Sequence, residues 1–496
     1  MTPETVNSLI PILACAVSLL AVIPITLAGK SPNLREGFTF AAAIAKLLLV
    51  ASMIPTILEG KVIVATLFHI LPTVPLQFRV DGMGLLFALV ASFLWIPTSL
   101  YGIGYMRGLK EHSQTRFFAF FAISLSATLG VAFAGNLLTL YVFYEMLSLS
   151  TFPLVTHHQD KEARTGGRTY LAHLLTTSVG FALPALIFCF AKSGGDLTFS
   201  LDGFLAGHVT EKESLVVLLL LTFGFAKNGL MPFHSWLPGA MVAPTPVSAL
   251  LHAVAVVKVG VFCVLRIFTG VFGLEMLKKL DIAIVISWIA AFTVIVSSLV
   301  ALTQDNLKRR LAFSTIGQLA YIILGISLLS PAGTTGSMLH IVMHAFGKIT
   351  LFFCAGAIFV ATGKKYISQM SGIGRQMPFT MAAFFIGSLS VTGLPPTGGF
   401  LSKFYLVLGT AQADQIPLLI VFLISTILNA AYFLPIAVKA FFPPDDLQPF
   451  SRKQIKEAPK ACVLPILLTA TATLYFFFDP SLPLALIEQF FVAAKP

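Results

Sequence analysis

Long apolar runs, cut by Gly, Pro and small groups of basic residues, make up almost the whole chain. A spanning helix needs about 20 apolar residues. Fourteen stretches qualify: 5–28, 38–58, 82–104, 116–134, 136–156, 168–191, 214–231, 246–268, 282–302, 308–329, 335–361, 379–407, 416–441 and 460–478. The predicted fold class is an all-α polytopic membrane protein with about fourteen transmembrane helices. Residues 61–79 (KVIVATLFHILPTVPLQFR) break the pattern. They alternate in places and carry two prolines, which predicts a hairpin or surface segment.

Two spans are interrupted in the same style. Span 7 reads FGFAKNGLMPFHSWLPGAMVAPTP and span 12 reads SVTGLPPTGGFLSKFYLV. Proline removes a backbone donor and clashes with the preceding turn. At membrane depth the freed backbone groups must be buried in protein or line water. Paired broken helices in two halves of a chain point to an internal repeat with a site near the bilayer midplane. The expected organisation is an N-terminal three-helix segment (1–115), a first five-helix repeat (116–268, spans 4–8), a second (269–441, spans 9–13) and a C-terminal helix and tail (442–496). An odd number of spans per unit inverts one repeat relative to the other. The plainer alternative is two merely kinked helices.

Composition sharpens this picture. Of 496 residues 57% are hydrophobic and 11% charged, against about 25% charged in soluble domains; the mean hydropathy is +0.90. A net charge of +11 raises the question of nucleic acid, but its distribution answers it. Loops 1–2, 3–4, 5–6, 9–10, 11–12 and 13–14 carry eighteen basic residues, among them Arg107, Lys308, Arg452 and Lys453, and the opposite side carries seven, including Lys495. The positive-inside rule assigns the first set to the cytoplasm and both termini to the other side. The excess is a topology signal, and no nucleic-acid partner is expected. Residues 1–28 lack a basic leader, so a retained first helix is expected rather than a cleaved signal.

Seven basic residues fall within spans. Lys46, Arg266 and Lys439 lie nearer span ends, where long stems snorkel. Lys227, Lys258, Lys348 and Lys403 do not. Glu145, in TLYVFYEMLSLSTFPLV, is the one carboxylate placed inside a long apolar segment. An ionised group at that depth costs from about 2.5 to more than 10 kcal/mol, so a partner or a task is required. Lys227 is its natural partner. Burial opposes both charges while each favours the other, so such a couple can switch; a static ion pair is the alternative.

In span 11, HIVMHAFGKITLFF sets His340, His344 and Lys348 four residues apart. They drift by only about 40° per step and form one stripe. Histidine titrates near neutrality and buried lysine shifts readily, so the stripe offers proton stations. Packing is one alternative. Zinc is another, but no HExxH or added carboxylate supports it, and no metal is expected. Span 8 holds His252 and Lys258, six apart and on different faces, each needing a neighbour on another span. Cys15, Cys189, Cys263, Cys354 and Cys462 are scattered without CxxC, which suggests buried thiols rather than disulfides or an iron–sulfur site. No phosphate-binding GxxxxGK[ST] or dinucleotide motif is present, so no cofactor and no catalytic chemistry are expected.

The runs YEMLSLSTFPLV, FAKNGLMPFHSWLPGAMVAPTPVSALLHAVAVVKVGVF, DNLKRRLAFSTIGQLAYIILG, HIVMHAFGKITLFF and GLPPTGGFLSKF are similar, in this order, to one family. The chain resembles the antiporter-like subunits shared by multi-subunit Mrp-type cation/proton antiporters, respiratory complex I and membrane-bound hydrogenases. The likeness covers roughly residues 80–440. By that resemblance Glu145 corresponds to the family's fifth-helix glutamate and Lys227 to its partner on the broken seventh helix. Lys258 and His252 correspond to the connecting residues of helix 8, and His340, His344 and Lys348 to the helix 11 relay. Lys403 corresponds to the terminal ionisable group of helix 12, where some members carry glutamate. The chain ends soon after span 14, which favours a compact, Mrp D-type relative. The resemblance implies a proton-translocating subunit of a cation (sodium)/proton antiporter in a prokaryotic-type inner membrane, held by other integral-membrane subunits. Its alternatives are a non-redox pumping subunit of a complex I-like or hydrogenase complex, a stand-alone small-solute carrier, and a scaffold subunit with a vestigial polar axis.

Overall fold

The computed structural model describes residues 4–442 and 455–492; Arg452, Lys453 and Lys495 lie outside them. Among the described residues, twelve helices are long and apolar enough to cross a membrane. They are α1 (Ile10–Leu27), α2 (Pro32–Leu58), α3 (Gly82–Gly108), α4 (Gln114–Ala132), α5 (Leu137–Val155), α6 (Lys161–Lys192), α8 (Thr245–Phe272), α9 (Ala283–Thr303), α10 (Leu307–Ser327), α11 (Pro331–Thr362), α13 (Ile416–Phe441) and α14 (Lys460–Phe478). The two interrupted spans complete the series. Span 7 begins as α7 (Glu211–Gly224), and span 12 consists of α12a (Pro378–Thr392) and α12b (Gly398–Gln412). The chain is a multi-pass, mostly helical membrane protein.

The helix starts follow from local chemistry. Asp81, Asn136, Asp160 and Asn306 each accept an orphan N–H of the first turn, and Thr210 with Glu213 forms a reciprocal cap on α7. Span 7 ends its helix at Gly224 and turns through a 3₁₀ segment, Ala226–Asn228, into Gly229 at φ +73°. Lys227 therefore sits within the break itself. The freed backbone groups find partners: Trp236 Nε1 donates to the Ala226 carbonyl (3.1 Å) and the Met231 N–H to Thr293 Oγ1 (3.2 Å). Gly260 of α8 makes room for this turn, since a Cβ there would overlap the Lys227 and Asn228 backbone. Gly399 of α12b is packed as closely on the Ser390 backbone.

Residues 61–79 form a hairpin, β2 (Val62–Leu71) and β3 (Val74–Val80), antiparallel with Ile63 opposite Val80. Strand β1 (Thr5–Asn7) adds to β2 in parallel. The start of predicted span 1 is thus a strand, because three extended residues complete a sheet edge that the hairpin leaves open. A last helix, α15 (Ser481–Val492), is too short to register as a span; it packs on the start of α3, with Gly82 against the Leu486 backbone.

Helix α8 is wholly enclosed and α10 nearly so, whereas α1, α2, α13 and α14 show mostly outward surface. Leu27, Leu48, Ile427 and Leu464 are among the exposed apolar side chains of that rim, as expected of a lipid-facing band. The loops sort onto two faces. Phe78 bridges to Ala134 and Asn136 to Thr198 on the hairpin face, and Asn306 bridges to Tyr366 on the opposite face.

Three charges sit differently from expectation. Lys46 is fully buried, and its Nζ donates to the Leu125 carbonyl (3.0 Å) beside the Trp95 ring. Arg266 is buried and pairs with both Asp81 oxygens (2.5 and 2.8 Å). Neither snorkels, because α3 and α4 close over them; Lys439 is exposed as expected. Helix α2 begins earlier than predicted and takes in Glu36, which is buried with Arg35 (3.2 Å) and Arg107 (2.5 Å). Glu145 is therefore not the only carboxylate on a spanning helix, but Glu36 lies near the start of α2 with two guanidinium partners.

Candidate functional site

Glu145 lies midway along α5. Both carboxylate oxygens are buried, and neither has a hydrogen-bond partner. Lys227 is fully buried, but its Nζ is committed elsewhere. It donates to the Tyr144 carbonyl (2.8 Å) and Ser148 Oγ (2.5 Å) and sits 3.0 Å from the centre of the Tyr144 ring. The expected Glu145–Lys227 contact is therefore open in this structure, although the two remain within electrostatic reach. The cause is helical geometry. Tyr144 and Ser148 share one face of α5, and Glu145 is turned about 100° from Tyr144.

The α11 stripe is continuous and buried. His340, His344 and Lys348 lie on one unbroken helix, and the two imidazoles are stacked at 5.7 Å and 18°. Lys258 reaches it from α8, with Nζ 2.7 Å from His344 Nδ1. With Lys258 charged, its ammonium donates to Nδ1; with Lys258 neutral, the amine can accept from Nδ1–H, so the contact serves a proton on either partner. His340 meets Ser402 Oγ of α12b (2.8 Å) and Gln318 Oε1 of α10 (3.0 Å). Lys348 donates to Ser314 Oγ (2.8 Å), which the Tyr432 hydroxyl approaches at 3.1 Å. Lys403 donates to the Thr392 carbonyl (2.9 Å) and lies 4.5 Å from the Tyr321 ring centre. It caps the broken end of α12a, where carbonyls lack helical partners and the helix dipole favours a cation. His252 stands apart, with no partner for either ring nitrogen and its ring against Phe352 (4.9 Å). Five of the predicted residues (Lys258, His340, His344, Lys348 and Lys403) thus gather around α11. Glu145 and Lys227 form a second group, and no hydrogen bond among the described residues joins the two.

Ser402 completes a switchable unit. Its hydroxyl oxygen is 2.8 Å from His340 Nδ1 and 3.1 Å from the Gly399 carbonyl. With His340 neutral and protonated on Nε2, the hydroxyl donates to Nδ1. With His340 charged, Nδ1–H donates to the hydroxyl, which turns its own proton to Gly399. Both protonation states are satisfied without moving a helix. Gln318, Ser314, Ser402 and Tyr432 had no signal in the sequence, since single polar residues in apolar spans are commonplace.

The site is thus a buried row of lysines and histidines crossing a helix bundle between two broken spans. The family profile described as NADH:quinone oxidoreductase/Mrp antiporter, TM, matches residues 134–429. NADH-quinone oxidoreductase subunit N of Desulforudis audaxviator is 32% identical over 92% of this chain and 93% of its own length. The A-type subunit of a Na(+)/H(+) antiporter of Alkalihalophilus pseudofirmus is 32% identical over 86% of this chain, but the match covers 56% of its own length. A probable K(+)/H(+) antiporter subunit of Rhizobium meliloti, of the A/B type, is 34% identical over 74% of this chain and 36% of its length. The chain thus spans nearly all of the first relative and about half or less of the other two. Among solved structures, a chain of an archaeal membrane-bound sulfane sulfur reductase superposes with a TM-score of 0.85 over 98% of both chains at 23% identity. A chain of the Mrp complex of a Dietzia species does so at 0.81 over 97% of both at 22% identity. Those two likenesses establish a common fold. The chain belongs to the NADH:quinone oxidoreductase/Mrp antiporter transmembrane family.

Proposed function

We propose that this chain is a proton-translocating subunit of a multi-subunit cation/proton antiporter. The observation that carries the reading is the Lys258–His344–His340 row, buried and linked by side chains that both give and accept protons. A proton enters at Glu145 and Lys227, passes by Lys258 and the α11 stripe, and reaches Lys403. A cleft of about 350 Å³ lined by Asp281, Ser287, Ser327 and Asp414 opens on the hairpin face at the far end of α12b; in this reading the proton leaves toward it from Lys403. The open Glu145–Lys227 couple is one position of a two-state element, in which Lys227 either holds Ser148 or turns to the carboxylate. Neighbouring integral-membrane subunits would bias that choice. Two five-helix units, 116–268 and 269–441, each contribute one broken span. Sodium is the proposed counter-ion. The cell membrane of a prokaryote is the proposed site, with both termini outside, on the strength of the eighteen-to-seven basic asymmetry.

A second reading is supported by the near full-length match to a quinone oxidoreductase subunit: a non-redox pumping role in a complex I-like assembly. The two share the proton path and differ in the partners that drive it. Identifying the co-purifying subunits separates them. For the shared path, Glu145→Ala and Lys227→Ala are expected to abolish proton-coupled transport in membrane vesicles while the protein still inserts and assembles. Wild-type transport in both would end the scheme.

A further inference from the structure

On the face opposite the hairpin, far along the chain from the lysine–histidine row, the α3–α4 and α5–α6 loops meet. They bring together Glu111, His112, His157 and His158. One donor atom from each of the first three lies within 4.8 Å of the other two. His112 Nδ1 is 3.9 Å and His157 Nε2 4.0 Å from Glu111 Oε2. The His112 and His157 rings are 4.9 Å apart.

Two observations mark these residues as more than a polar cluster. His157 is completely buried, yet neither ring nitrogen has a hydrogen-bond partner. A buried imidazole without partners is costly, and its Nε2 stands 4.0 Å from a carboxylate oxygen, too far for a hydrogen bond between them. The second observation is the setting of His112. Its Nε2 lies 3.0 Å from the His157 carbonyl. A carbonyl only accepts, so Nε2 carries the proton and Nδ1 presents its lone pair to Glu111. Metal-binding histidines are oriented in this way, by an outer hydrogen bond from the other ring nitrogen. His158 acts on the carboxylate in turn, with Nε2 3.2 Å from Glu111 Oε1, leaving Oε2 free. The neighbouring cation Arg116 is tied to the His157 carbonyl (2.8 Å). Asp160 and Lys308, of opposite sign, are the other charges near His158.

We propose that Glu111 Oε2, His112 Nδ1 and His157 Nε2 bind a borderline divalent transition ion of the Zn²⁺ type, with a water in the open position. Two imidazoles and one carboxylate suit zinc and its neighbours; Mg²⁺ and Ca²⁺ prefer all-oxygen shells. Tetrahedral ligand atoms stand about 3.3–3.5 Å apart at metal bonds of about 2.0–2.1 Å, so the present spacing closes on an ion through side-chain shifts below about 1 Å. The ion would tie the α3–α4 loop to the end of α5, the helix that carries Glu145.

The test uses the full chain, purified in detergent with a tag that contains no histidine. Zn²⁺ is titrated against a chromophoric chelator, and Co²⁺ serves as the spectroscopic probe. One tight Zn²⁺ per chain and the intense visible absorption of four- or five-coordinate Co²⁺ are expected. His157→Ala should weaken binding by more than about 100-fold and His158→Ala by about 10–100-fold, the range for outer-shell partners. Glu111→Gln, which keeps an acceptor for His158 and so preserves the loop, should also lose the tight site. Binding of wild-type strength in both His157→Ala and Glu111→Gln would overturn the proposal, as would a pale, octahedral Co²⁺ spectrum.

Discussion

The contact between Lys258 Nζ and His344 Nδ1, 2.7 Å long, is the joint between α8 and α11, and its removal should be felt in the rate. A hydrogen bond to a charged group contributes about 1.5–3 kcal/mol. Without it, a proton resting on Lys258 loses the acceptor that holds it in a fully buried position. If that energy is added to the transfer barrier, at about 1.36 kcal/mol per tenfold, His344→Ala slows proton-coupled transport about 10- to 150-fold. His344→Asn separates relay from support. Its amide oxygen can accept from Lys258 and hold the packing, but it cannot pass a proton on. The assay is proton-coupled transport in inverted membrane vesicles, normalised to the amount of assembled protein. Both variants should be slow, and Lys258→Met should be slow as well. Wild-type rates in His344→Asn would reduce His344 to a structural acceptor, and wild-type rates in Lys258→Met would remove the joint from the path.

Four further outcomes are expected. Gly260→Ala places a methyl group on the Lys227 turn; it should lower transport and thermal stability together, while Gly37→Ala, with open space around it, should change neither. Asp81→Asn leaves Arg266 buried without its charge partner and should cost about 3–5 kcal/mol, read as a lower melting temperature in detergent. Ser402→Ala removes the hydroxyl that serves both states of His340 and should shift the pH profile of transport, whereas Ser402→Thr should restore it; an unmoved profile in Ser402→Ala would exclude the switch. At the start of α7, hydrogen bonds from Lys192 and then from Thr210 hold the Glu213 carboxyl down at about 2, against an ordinary value of 4.5. A depressed carboxylate stabilises above its unfolded value and loses that contribution as pH falls through the folded one. The protection of first-turn amides of α7, with exchange referred to its intrinsic pH dependence, should therefore be steady from neutral pH to about 5 and fall between 4.5 and 2.

Much of this was legible along the chain because it rests on local rules. The apolar runs marked the twelve helices long enough to cross and the two interrupted stretches, and Gly and Pro marked the breaks after Gly224 and Thr392. The fourfold spacing of His340, His344 and Lys348 announced a shared helix face. Other features depended on neighbours the sequence does not specify. Lys46 and Arg266 look like snorkelling residues until α3 and α4 are seen to cover them. Glu145 and Lys227 look like a closed pair until Tyr144 and Ser148 are seen to hold the lysine. His252 needs a neighbour on another span, and the one it meets is the apolar Phe352 ring, with both ring nitrogens left without a hydrogen-bond partner. The Glu111–His157 cluster joins loops 46 residues apart at 111 and 157, so no spacing motif could reveal it.

The sequence by itself determined where the chain crosses the membrane and where helices must break. A helix in lipid satisfies its own backbone, so apolar length and the position of Pro and Gly suffice. Only the tertiary structure decided which buried polar groups face one another. Hydrogen bonding at membrane depth depends on partners brought by other helices to within about 3 Å. That approach is set by how glycines such as Gly260 and Gly399 let neighbouring backbones close in.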